Sequence, residues 1–169
     1  MTEIEIRPLR ADEADALADL AGRIWRAHYP GIISAAQIDY MLEQRYRPVL
    51  IKQFIARGDC WLAARAGEAL AGFAHAHPLQ AGDWKLDKLY VATDLQRHGI
   101  GGALIAAVTN EARKHAVDRL VLRVNRQNHA AIQAYLKHGF KVADLVVEDI
   151  GNGFYMDDYI MLKELKDAV

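Results

Sequence analysis

Leu89-Tyr90-Val91, a short connection, and then Gln96-Arg97-His98-Gly99-Ile100-Gly101-Gly102 are the residues on which the reading of this chain turns. Strand, glycine-rich loop and helix start, in that order, make a cradle for phosphate. The first N–H groups of a helix have no intrahelical acceptor, the helix dipole is positive at that end, and glycine lets the backbone approach the anion with no Cβ in between. Two familiar phosphate loops are excluded by residue identity. A dinucleotide-binding fingerprint needs a third glycine where Leu104 stands, and a nucleoside-triphosphate loop needs Lys and then Ser or Thr after its glycine. For the loop taken alone, a tight strand-to-helix turn that needs glycine for its own geometry is the other reading.

Outward from this stretch, Gly99 to Ala116 has helical spacing, with Ile100, Leu104 and Val108 on one face and Asn110, Glu111, Arg113 and Lys114 mostly off it. Upstream, Cys60 to Ala66, Ala69 to His77 and Trp84 to Val91 are separated by Gly67-Glu68 and Gly82-Asp83 and read as an antiparallel meander. Downstream, Leu120 to Val124 is a buried strand. Asn128 caps a helix whose Ile132 and Leu136 face the core, and Gly139 is placed to end it in the left-handed conformation. Phe140 to Val147 and Phe154 to Leu162 are strands joined by Gly151-Asn152-Gly153, which has hairpin chemistry. At the other end, the alternation of Ile4 to Leu9 makes a short strand, and a helix runs from Asp12 as N-cap to near His28. Ser34 with Gln37 is a capping box for a second helix, which Pro48 either ends or restarts before Ala56. The order β, α, α, three β, α, β, α, β, β describes an α/β (α+β) fold, a single domain over residues 1–169.

With 169 residues, 52% hydrophobic and 25% charged, the chain can build its core without metal or disulfide staples. Twenty-one Lys and Arg against 22 Asp and Glu leave a formal charge of −1, so a nucleic-acid partner is not expected. Cys60 has no second cysteine to pair with, and Met1 to Arg10 intersperses Glu3, Glu5, Arg7 and Arg10 where a secretory signal would be apolar; both fit the cytoplasm. The longest apolar stretch, around Gly101 to Val108, is far short of the ~20 residues that cross a bilayer, so no membrane is expected either.

A second cluster follows the first: Asn125, then Asn128, Ala131, Tyr135, Gly139 and Phe140 as Asn-x-x-Ala-x-x-x-Tyr-x-x-x-Gly-Phe. Together with Gln-x-x-Gly-x-Gly at Gln96, Gly99 and Gly101, this resembles the motif pair of the GCN5-related N-acetyltransferase (GNAT) superfamily. Membership implies a central, mixed, splayed sheet of six to seven strands flanked by about four helices, with acetyl-CoA as cosubstrate between the strand ending at Val91 and the strand Leu120 to Val124. By that resemblance the pyrophosphate lies on Arg97, His98, Gly99, Ile100, Gly101 and Gly102, with Gln96 beside it. The pantetheine arm runs along Leu89, Tyr90 and Val91, and the Val91 N–H polarises the thioester carbonyl. Asn128 caps its helix and hydrogen-bonds the arm, Ala131 leaves room for it, and the Tyr135 hydroxyl protonates the departing thiolate.

The activity implied is acetyl transfer to a primary amine, a small molecule such as a polyamine; the tail Phe154 to Met161 is similar to tails of small-amine and polyamine acetyltransferases. The alternatives are acetylation of a protein N-terminus or lysine, and a non-catalytic acyl-CoA-binding sensor. Trp25, Tyr29, Ile32, Ile33 and Tyr40 surround the break between the first two helices, where related enzymes build the acceptor wall; plain helix packing is the other reading. Many relatives carry Glu where Lys85 stands here. Strand alternation puts Lys85, Asp87, Leu89 and Val91 on one face, which makes Asp87 the candidate base, with Lys85 pointing away at the strand's start. The competing reading is that Asp87 only pairs with Lys85 or Lys88. His75 and His77 share a strand face with no third ligand at metal spacing, so no metal is expected, and Cys60 beside Trp61 reads as a core cysteine. Asp157 and Asp158 are candidate attractors of a cationic substrate. The expected partner is a small-molecule or peptide amine, and a homodimer is compatible with the sequence.

Overall fold

Alternation of Ile4 and Ile6 with charged neighbours produces β1 (Ile4–Pro8), paired antiparallel with β2 (Cys60–Ala66) in the computed structural model, which describes residues 3–166. A single turn, Ala11–Glu13, then leads into α1 (Ala14–His28). Asp12 is not the cap that the sequence suggests: the Glu13 carboxylate accepts the Arg10 N–H at 3.0 Å. Charge decides between the two acids. Glu13 also takes both arms of Arg7 at 2.8 and 2.9 Å and Arg65 at 2.7 Å, so it can be buried, whereas Asp12 faces water.

The second helical stretch is two helices. Ser34 caps α2 (Ala35–Arg45), its Oγ accepting from the Gln37 N–H at 3.1 Å; α3 (Pro48–Ala56) begins on Pro48, where a missing N–H costs nothing. Arg47, held extended ahead of the proline, makes the break. The meander is β2, β3 (Ala69–Pro78) and β4 (Trp84–Val91). Gly72 permits the close approach of β3 to β4, since a Cβ there would stand 2.8 Å from the Tyr90 carbonyl oxygen. Next come α4 (Ile100–Lys114), β5 (Arg119–Asn125), α5 (His129–Lys137), β6 (Lys141–Gly151) and β7 (Phe154–Glu164). The sheet has seven strands in the order β1-β2-β3-β4-β5-β7-β6. It is mixed: β4 and β5 register in parallel at Trp84↔Leu120 and Lys85↔Val121, while β1–β2, β2–β3, β5–β7 and β6–β7 are antiparallel.

Packing divides the chain into two compact units. The first is residues 3–76 with 88–108, and its core holds Leu17, Ile24, Trp25, Ile51, Phe73, Leu104 and Ile105. The second, residues 77–87 with 109–166, is built on Leu120, Leu122, Ile132, Phe140 and Met161. Leu136, expected in that core, is 43% exposed. The Gly139 turn, at φ 93°, brings Phe140 back to fill the core at this end of a short helix. In the β6–β7 hairpin, Asn152 and Gly153 both have positive φ (55° and 79°), as a two-residue turn of the favoured twist requires. Among the described residues no helix is long and apolar enough to cross a membrane.

Candidate active site

In the first unit β4 ends at Val91, and the chain passes through a single turn, Thr93–Leu95, into an exposed loop, Gln96–Gly99. The Gln96 side chain donates to the Val91 carbonyl at 3.3 Å and ties the loop to the strand end. Arg97 and Gly99 are left-handed, at φ 67° and 81°. The helical ladder begins with the Ala103 N–H on the Gly99 carbonyl at 3.0 Å, so the N–H groups of Ile100, Gly101 and Gly102 lie ahead of it. Left-handed φ at Arg97 and Gly99, on either side of His98, sets the loop directly ahead of those N–H groups, a kind of backbone that suits phosphate oxygens. Gly99 is needed for its φ, but Gly101 is not: a Cβ there meets Val91 Cγ2 at an ordinary 3.8 Å. A glycine inside a helix costs about 1 kcal/mol relative to alanine, and this one is not required by the chain's own packing. The space over it suits a ligand.

The aromatic residues expected at the acceptor wall also gather in this unit. Trp25 is fully buried, with ring centroids 4.5 Å from Tyr29 and 5.8 Å from both Tyr46 and Tyr90. The Tyr29 and Tyr90 hydroxyls are 2.7 Å apart. Burial, with Tyr29 and Tyr46 nearby, pushes the Tyr90 phenol well above its ordinary range, so it stays neutral at physiological pH. Ile32, Ile33 and Tyr40 are half-buried.

The second unit holds Asp87, Asn128 and Tyr135. Asn128, 5% exposed, accepts the Ala131 N–H at 3.4 Å and caps α5. Tyr135 is half-buried with its ring edge-on to Phe140, centroids 5.5 Å apart. Lys85 does not point away: its Nζ lies 3.2 Å from Asp87 Oδ1, because side chains two residues apart on a strand share a face and a lysine spans the gap. Asp157 and Asp158 are paired, with Arg126 Nε at 2.8 Å and Arg123 Nε at 3.3 Å respectively, so neither is an open acid. Of the remaining candidates, Cys60 is half-buried at the start of β2 and does not sit in the core. The Nδ1 of His77 lies 3.2 Å from the Pro78 carbonyl. His75 is no ordinary sheet-face histidine; it is buried against Asp59 and Lys88, groups that sequence distance concealed. Among the described residues no group of three or more His, Cys, Asp and Glu is placed to hold a metal.

The seven-stranded mixed sheet and the glycine-bearing loop at the end of β4 fit the class of acyltransferases that use coenzyme A thioesters. The sequence profile of the Acetyltransferase (GNAT) family matches residues 17–140, and the chain belongs to that family. It is an acetyl-CoA-dependent N-acetyltransferase. Among its relatives is a spermidine N(1)-acetyltransferase of Thermoplasma acidophilum, 29% identical over 146 residues that make up 83% of this chain and 90% of the relative. A peptidyl-lysine N-acetyltransferase of Escherichia coli is 26% identical over 152 residues, 89% of this chain and 92% of the other. The crystal structure of a PaiA N-acetyltransferase from Thermoplasma acidophilum in complex with coenzyme A superimposes with a TM-score of 0.85 at 28% identity, covering 96% of this chain and 99% of that one.

Proposed function

We propose that this enzyme acetylates a primary amine of a small polycation such as a polyamine, in the cytoplasm, and that residues 1–169 act as one acetyltransferase domain. Similarity to a spermidine acetyltransferase over most of both chains carries the choice of acceptor. The N–H groups of Ile100, Gly101 and Gly102 ahead of the helical ladder, and the open space where a Cβ at Gly99 would stand, support acetyl-CoA as the donor. When bound, acetyl-CoA supplies an acetyl group already activated as a thioester. The N–H groups from Arg97 to Gly102 hold its pyrophosphate, and the backbone of Leu89, Tyr90 and Val91 runs beside the pantetheine, with the Val91 N–H directed at the thioester carbonyl. Asn128 steadies the arm. Tyr135 returns a proton to the thiolate, and Asp87 takes the proton of the acceptor ammonium through water. Tyr29, Ile32 and Tyr40 form the acceptor wall in front of Trp25.

Release of the CoA thiol, measured against polyamines, monoamines, aminoglycosides, amino acids and peptides with a free N-terminus or lysine, tests the assignment. Polyamines are expected to give the highest kcat/KM. A preference for peptides replaces the reading with protein acetylation. Acetyl-CoA binding with no thiol release for any acceptor makes the protein a sensor.

A further inference from the structure

Lys88, His75 and Asp59 form a chain of ionisable groups inside the first unit that none of these roles uses. Lys88, one residue before Leu89 on β4, is 3% exposed. Its Nζ is 3.4 Å from His75 Nδ1 and stands 5.4, 5.8 and 5.7 Å from the ring centroids of Tyr46, Phe54 and Trp61. His75, 1% exposed, is layered between Trp61 at 4.1 Å and Phe54 at 5.5 Å, and its Nε2 is 2.7 Å from Asp59 Oδ2. Arg57 ends the chain at the surface, with Nε and Nη2 on the two Asp59 oxygens at 2.9 and 2.5 Å.

We propose that Lys88 is a positioning residue for acetyl transfer, holding the Leu89–Val91 end of β4 through one proton state of His75, with Nδ1 accepting from the Lys88 ammonium and Nε2–H donating to Asp59. Basicity assigns the proton. A lysine amine is ordinarily a stronger base than an imidazole; burial acts against a charge on either group, while the ring nitrogen at 3.4 Å and three aromatic faces favour the ammonium, so a proton shared by the two goes to Lys88. The hydrogen bonds then run one way, from ammonium to ring nitrogen, from ring N–H to carboxylate, and from guanidinium to the same carboxylate. Burial pushes the Asp59 carboxyl up, but Arg57 and His75 outweigh it and hold it below the ordinary range, where it accepts. Among the groups facing His75 are Lys88 from β4, Trp61 from β2, Phe54 from α3, and Asp59 with Arg57 from the turn between α3 and β2; Tyr46, following α2, faces Lys88. A second proton on the ring removes the acceptor that His75 offers Lys88 and sets two cations 3.4 Å apart between aromatic walls. Lys88 must then move, directly ahead of Leu89. The consequence for turnover rests on the reading of Leu89–Val91 as the cofactor-contacting strand.

Long-range 15N–1H NMR of the wild-type enzyme reads the tautomer directly. At neutral pH a bare Nδ1 and a protonated Nε2 are expected for His75. An imidazolium there overturns the proposal whatever the enzyme turns over, whereas the cofactor reading stands or falls separately on acetyl-CoA calorimetry. In kinetics, His75→Gln keeps one acceptor and one donor but cannot take a second proton. Its kcat at neutral pH should stay within about threefold of wild type while the acid limb of the kcat profile moves to lower pH. Lys88→Met should lower kcat about tenfold with KM for acetyl-CoA little changed, and Lys88→Arg should recover most of the loss. An acid limb unaltered in His75→Gln, or wild-type kcat and pH profile in Lys88→Met, overturns the proposal. If Lys88→Met does not fold, the arginine and glutamine variants and the NMR measurement still decide it.

Discussion

Tyr135 owes its seat to Phe140, packed edge-on at 5.5 Å, and its proposed chemistry to one oxygen. Tyr135→Phe separates the two. It keeps the ring and should lower kcat by about ten- to a thousandfold, the scale of lost general-acid help, with acetyl-CoA affinity by calorimetry unchanged. Equal turnover returns Tyr135 to a packing role. Asp87 is a harder case, because Lys85 already holds it at 3.2 Å and an acceptor ammonium must compete for the same carboxylate. Asp87→Asn should depress kcat/KM near neutral pH, and the loss should shrink as pH rises toward the pKa of the acceptor, where the free amine needs no base. A profile that overlays wild type sinks the assignment. Alternation along β4 placed Lys85 and Asp87 on one face from sequence alone and left a pair between them as one of two readings; tertiary structure shows the pair closed at 3.2 Å.

Helix starts and turns were legible where one residue's own chemistry settles them, as at Ser34 above Gln37, Gly139 after α5, and Asn152-Gly153 in the last hairpin. The entry to α1 was not, because the choice of Glu13 over Asp12 depends on Arg65, 52 residues away. Hydrogen bonds from Arg7 above all, opposed by burial and reinforced by the Arg10 N–H, hold the Glu13 carboxyl down at about 2. A carboxyl lowered by folding contributes stability that is complete above its unfolded pKa and is lost as pH falls through the folded one. That window runs here from the ordinary value of 4.5 down to about 2. Glu13→Gln should cost about 2 kcal/mol at neutral pH, the scale of hydrogen bonds to a charged group. In urea unfolding at a series of pH values, wild type and variant should converge across the acid window. A difference that stays constant to the lowest pH removes Glu13 as its source.

A ligand that binds only the native molecule stabilises all of it. Acetyl-CoA at a hundredfold excess over Kd should add about 2.7 kcal/mol, roughly 5–10 °C in Tm for a domain of this length. A Cβ has room at this position, so Gly101→Ala should leave the Tm without ligand within a few degrees, whereas Gly101→Val should abolish most of that shift. An undiminished shift in the variant removes the loop from the binding site. The run of strands, the glycine-bearing loop ahead of α4 and the asparagine cap of α5 were legible in the sequence, because each rests on a local rule, period two or three to four, a capping oxygen or a left-handed glycine, while the break at Pro48 stayed open between an end and a restart. Tertiary structure alone decided the strand neighbours that no short turn joins, β1 beside β2 and β7 beside β5, and which ionisable groups meet. Asp59, His75 and Lys88 lie on three separate segments, and the register of β2 on β3, with Cys60 opposite Ala76, brings the first two together. Charge pairing and burial are properties of distance in space, and a linear pattern carries that distance only within a turn or a strand.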